Sequence, residues 1–99
     1  MPLGTELDAS LADVLSMLKR AFPNGVSPTD YRPLLAALYE HLSDRNLANV
    51  ISQLTHKDPD LVLNEIYEAV TSKKPKAQEI AALTRFLNHH GAPETLADN

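Results

Sequence analysis

There is no cysteine among the 99 residues, and no tryptophan. Without thiols there are no disulfides, no cysteine-ligated zinc and no thiol nucleophile, a composition that fits a reducing cytoplasm. Glycine is scarce, with three residues, and no glycine-rich loop cradles a phosphate. Three Tyr and two Phe leave little surface on which nucleic-acid bases could stack. Long apolar runs are missing too. The longest aliphatic stretch is Leu34 to Leu38, against the roughly 20 residues that a membrane-spanning helix needs. The opening MPLGTELDASL has no basic segment leading into an apolar one, which predicts no signal peptide.

Nor is there an excess of positive charge. The formal net charge is -4, with four Lys/Arg against six Asp/Glu in residues 1–50 and five against seven in residues 51–99. No basic half attracts a phosphate backbone, and no acidic tail imitates one. The length sets one domain, able to bury roughly 60–65% of its unfolded surface.

What is present is leucine and alanine: 16 Leu and 12 Ala against five Val and three Ile. Unbranched residues favour helices and β-branched ones favour strands. The spacing agrees. Leu11, Val14, Leu15, Leu18 and Phe22 recur on one helical face, predicting a helix over 8–22 capped by Asp8 or Ser10 and ended by Pro23-Asn24-Gly25. Val26-Ser27-Pro28 reads as an extended link. A second helix is expected from Thr29 or Asp30, because Asp30 as N-cap would put Pro33 at N3, where no hydrogen bond is lost. Its stripe is Leu34, Leu35, Leu38 and Leu42, with Tyr31 a turn earlier. Ser43 caps a third helix lined by Leu47, Val50, Ile51 and Leu54. Asp58-Pro59 opens a fourth lined by Val62, Ile66, Ala69 and Val70. A fifth is expected over 75–90, with Ile80, Leu83 and Leu87 inside and Gly91 just past its end. No alternating strand pattern survives. The expected fold is therefore all-α, a compact, irregular or orthogonal bundle of about five short helices. It forms one domain over residues 1–99, with 1–7 and 94–99 as frayed ends.

The stretch from Phe22 to Leu38, FPNGVSPTDYRPLLAAL, resembles a small actinobacterial family of unknown function. That family reads as Tyr/Phe-Pro-x-Gly-Val-x-Pro-x-Asp-Tyr-x-Pro-Leu-Leu running into a leucine-rich helix. Leu42-Ser43-Asp44 is similar to its next helix start. Gly91-Ala92-Pro93 is similar to its Gly-Trp-Pro ending, with Ala92 in the tryptophan's place. The resemblance spans about Leu11 to Pro93 and implies a cytoplasmic helical bundle; it implies no activity.

Chemistry-bearing residues are few, and each has a plain alternative. Thr29-Asp30-Tyr31-Arg32 is the most unusual local sequence. A helix N-terminus there offers free N–H groups to a carboxylate or phosphate, with Arg32 assisting. Alternatively, Thr29 or Asp30 caps the helix and Tyr31 packs over the preceding loop, the commoner use of such residues. His41, His56, His89 and His90 lack the i, i+4 spacing of a zinc helix, and the last two suit the negative end of a helix dipole, so no metal is expected. Lys73, Lys74 and Lys76 in one loop, with Lys57 and Arg85 elsewhere, form a weak candidate phosphate patch on an acidic chain. A helix-turn-helix reading around Thr55 to Pro59 fails because Asp58, Asp60, Glu65 and Glu68 would face phosphates. Glu65 and Glu68 form an ordinary helix-surface pair.

No catalytic set is legible, and a fold this small is expected to leave little room for a pocket of about 300 Å³ or more. Tyr39, Leu61, Leu63, Tyr67 and Phe86 flank the apolar stripes, where a contiguous exposed patch would mark a partner site. The expectation is a non-catalytic, cytoplasmic, monomeric protein-interaction or adaptor module without cofactor. Its candidate binding residues are Thr29, Asp30, Tyr31, Arg32, Tyr39 and Tyr67. The alternative is weak nucleic-acid or anion binding through Lys73, Lys74, Lys76 and Arg85.

Overall fold

Capping chemistry sets where each helix begins and ends. The computed structural model describes residues 9–91, and among them lie five helices and no strand. The first helix, α1, is Ala9–Ala21. Ser10 lies within it, Asp8 lies outside the described residues, and so do the frayed ends expected at 1–7 and 94–99. Beyond α1, the Gly25 N–H reaches the Phe22 carbonyl at 3.0 Å. Gly25 takes φ 89°, a left-handed conformation in which a side chain would be strained.

The second helix, α2, is Pro28–Tyr39, one or two residues earlier than the sequence predicts. Neither Thr29 nor Asp30 is its cap. Ser27 is: its Oγ accepts the Asp30 N–H at 3.3 Å, and Pro28 occupies the first helical position. Proline needs no partner there and its fixed φ already matches the helix. Pro33 thus lies inside the helix rather than at its third position. The N–H it lacks would have met the carbonyl of Thr29, an exposed residue open to water. Replacing Ser27 by Ala should lower unfolding free energy by about 1 kcal/mol. Thr29→Ala should change it by less than about 0.5 kcal/mol. Urea titrations of the two variants check the assignment.

Helix α3 is Asp44–Thr55, capped by Ser43, whose Oγ accepts the Asn46 N–H at 3.1 Å. Helix α4 is Pro59–Val70, and here the proline-first start is as predicted: Asp58 Oδ1 accepts the Asp60 N–H at 2.8 Å. Helix α5, Ala77–His89, is shorter than expected, because the chain turns helical only after Lys76. The Lys76 N–H is held by Glu79 Oε1 at 2.9 Å. Gly91 follows with φ 96°, the left-handed ending the sequence predicts.

The leucine stripes meet in one interior. Val14, Leu18, Leu34, Leu35, Leu38, Leu47, Val50, Ile51, Val62 and Ile66 are fully shielded, joined by Met17, which lies beside the predicted α1 stripe. No buried side chain is polar or charged among the described residues. Helices α2 and α3 are joint hubs: α2 packs on α3, α4 and α5, and α3 packs on α1, α2 and α4. Phe22, just beyond α1, meets Phe86 of α5 in a tilted ring contact at 5.3 Å between centroids, and Phe86 meets His90 in another at 4.7 Å.

No described helix is long and apolar enough to cross a membrane.

Candidate functional site

Two surface clefts form where helix ends meet, and both exceed the size expected from chain length. They are open grooves between elements, so the small interior did not limit them. The first, about 580 Å³, lies between the loop leading into α2 and the end of α3. Val26, Pro28, Tyr31 and Leu54 give it apolar walls, and Arg32, His56 and Lys57 line it with positive or protonatable groups. The second, about 620 Å³, lies between α3 and α4, where Asp44, Asp60 and Arg45 mix charges around Leu63 and Tyr67.

Tyr31 is the pivot of the first cleft. Its hydroxyl donates to Glu65 Oε1 at 2.7 Å, across from α2 to α4. Lys57 Nζ donates to the two Glu65 oxygens at 3.3 and 3.1 Å and sits 4.1 Å from the Tyr31 ring centroid. One carboxylate thus holds a phenol and an ammonium together, and the ammonium also meets the face of the ring. Burial, then the hydrogen bond to Glu65 and its charge, pushes the Tyr31 phenol well above its ordinary value of 10.0. The folded chain favours the neutral phenol, so this contribution to stability is full below about pH 10 and is lost as pH rises above it. In a spectrophotometric alkaline titration, Tyr31→Phe should remove signal from the late part of the curve. Adding urea to the wild type should move that signal to lower pH. A curve unchanged by the substitution would contradict the contact.

The opposite wall is tied down by its own side chains. The Ser52 hydroxyl donates to the Lys57 carbonyl at 2.6 Å and the Thr55 hydroxyl to the Ile51 carbonyl at 2.7 Å. The His56 N–H donates to the Ser52 carbonyl at 2.7 Å. His56 itself adopts φ 65°, a left-handed conformation uncommon outside glycine. Arg32 and the His56 ring make no hydrogen bond or ion pair among the described residues, and both are exposed.

The sequence-predicted residues divide between locations. Tyr31 and Arg32 share the first cleft. Thr29 and Asp30 adjoin it without lining it, and the Asp30 N–H is already taken by Ser27. The proposed anion corner is therefore partly closed by the cap. Tyr31 does not simply fold over the preceding loop, because its hydroxyl is bonded to α4. Tyr67 lines the second cleft and donates to Asp44 Oδ2 at 3.0 Å. That hydrogen bond, then the carboxylate's charge, raises its phenol above the ordinary value. Tyr39 is exposed and lines neither cleft. Leu61, Tyr67 and Phe86 are exposed as well, whereas Leu63 is half-buried. Lys73 pairs with Glu68 at 3.8 Å. Lys74, Lys76 and Arg85 are exposed, and Lys76 opens α5 rather than contributing to a patch with Lys57, which belongs to the Tyr31 cluster. No group of three or more His, Asp or Glu among the described residues is arranged to hold a metal ion.

The sequence does not mark Glu65, Lys57, His56 and Leu54 as members of one site. Their positions relative to Tyr31 depend on how α2, α3 and α4 pack, and no spacing in the sequence signals it.

The architecture defines a small all-α bundle protein with a preformed surface cleft. The chain belongs to the family described as protein of unknown function (DUF3349), whose profile matches residues 9–95. No curated protein and no solved structure matches it.

Proposed function

We propose that this chain is a non-catalytic, monomeric interaction module of the cytoplasm that receives a segment of a partner protein in the cleft between the α1–α2 loop and the end of α3. The observation that carries the reading is the cleft's construction. Its apolar lining, Val26, Pro28, Tyr31 and Leu54, is open to solvent, and its walls are fixed by the Tyr31–Glu65–Lys57 contacts and by the bonds around Ser52 and Thr55. Walls set before a partner arrives reduce the ordering cost of binding. The cysteine-free composition supports the cytoplasmic setting.

Quantitative affinity capture from cell extract tests the reading. Wild type is compared with Pro28→Gln, which replaces an apolar cleft wall with a long polar side chain and adds no charge. Leu61→Ala on the exposed part of α4 serves as control. Specific partners should fall at least fivefold with Pro28→Gln and stay unchanged with Leu61→Ala, both variants keeping wild-type helicity. The same partner set at the same abundance for all three chains would reject the cleft as the docking site.

A further inference from the structure

We infer that the occupant of this cleft is an acidic segment, one that sets an apolar side chain beside neighbouring Asp or Glu residues; the inference rests on the docking reading above. The argument is one of charge. The chain carries 13 acidic side chains against nine Lys/Arg. The cleft nonetheless is lined by Arg32, His56 and Lys57 and by no carboxylate. The second cleft, similar in size, brings Asp44 and Asp60 beside Arg45, so cationic lining is not a general property of this surface.

The three groups also differ in availability. Lys57 is engaged by Glu65 at 3.1 Å and mainly shapes the wall. The Arg32 guanidinium and the His56 ring have no hydrogen-bond or ion-pair partner among the described residues, although the His56 backbone closes α3. An exposed guanidinium without a partner beside an apolar surface is suited to a carboxylate, which it can grip through two parallel hydrogen bonds. The apolar lining then takes an aliphatic or aromatic side chain from the same segment, and the volume admits only a few side chains. Positive lining on a negatively charged protein also discriminates: a basic segment meets Arg32 at the cleft and gains nothing there.

Selection from a random-peptide display library on the full chain tests the inference, with Arg32→Glu selected in parallel. Arg32 is exposed, and matching urea midpoints establish that the variant folds. Wild type should enrich peptides combining apolar residues with Asp or Glu. Their affinity should fall roughly tenfold with Arg32→Glu, one surface attraction lost and one repulsion gained. It should also weaken as salt rises. The variant should enrich Lys or Arg in place of the acids. Apolar peptides without an acidic excess, still blocked by Pro28→Gln, would overturn the acidic partner while leaving the docking reading in place. Peptides indifferent to both Arg32→Glu and Pro28→Gln would overturn both.

Discussion

Leu38→Ala is expected to lower unfolding free energy by about 3–4 kcal/mol, the range for a fully buried leucine whose cavity cannot collapse. Leu38 has no exposed surface and sits on α2, the helix that packs on α3, α4 and α5 together. Neighbouring backbone therefore cannot shift toward the void without disturbing three interfaces. A domain of this length is stabilised by roughly 5–15 kcal/mol. One truncation at a hub thus removes a large share, and urea unfolding followed by far-UV circular dichroism should show a much lower midpoint. Leu61→Ala, at a residue 50% exposed, should shift stability by less than about 0.5 kcal/mol. Equal effects at the two positions would contradict the placement of the core.

Tyr31→Ala carries the second largest effect, about 2–3 kcal/mol, assembled from three losses. The ring leaves a half-buried place against the core, the hydroxyl leaves Glu65, and Lys57 loses the aromatic face beneath its ammonium. Tyr31→Phe isolates the hydroxyl and should cost about 1 kcal/mol. The remaining difference between the two variants measures the ring. Partner binding should follow the ring as well: Tyr31→Phe keeps the cleft wall, whereas Tyr31→Ala removes it. Two variants of equal stability would show that the ring packs against nothing.

Much of the fold was legible because burial on a helix leaves a periodic trace. Leu34, Leu35 and Leu38, or Val62 and Ile66, recur at helical pitch whatever they pack against. The start of α2 was misplaced for a local reason. Ser27-Pro28 and Asp58-Pro59 are the same device, a capping oxygen followed by proline at the first helical position. In the first, Pro33 further along weighs against so early a start, yet the helix tolerates an interior proline where the missing partner, Thr29, faces water.

The cleft was legible only at one corner. Tyr31 and Arg32 belong to the Thr29–Arg32 segment, which is legible because a helix start there offers free N–H groups beside an arginine. Glu65 looked like half of a routine surface pair with Glu68, and Lys57 like part of a diffuse basic group. Their joint role arises from tertiary packing over 34 and 8 residues of chain respectively, Tyr31 to Glu65 and Lys57 to Glu65. Surface polar contacts of that range impose no period on a sequence.

The cleft's role in docking is tested most directly by mapping backbone amide shifts by NMR as the tightest selected peptide is added. The account predicts perturbations concentrated at Gly25, Val26, Tyr31, Arg32 and Leu54 to Lys57. Perturbations gathered instead at Arg45, Asn49, Leu63 and Tyr67, with the first cleft silent, would contradict it.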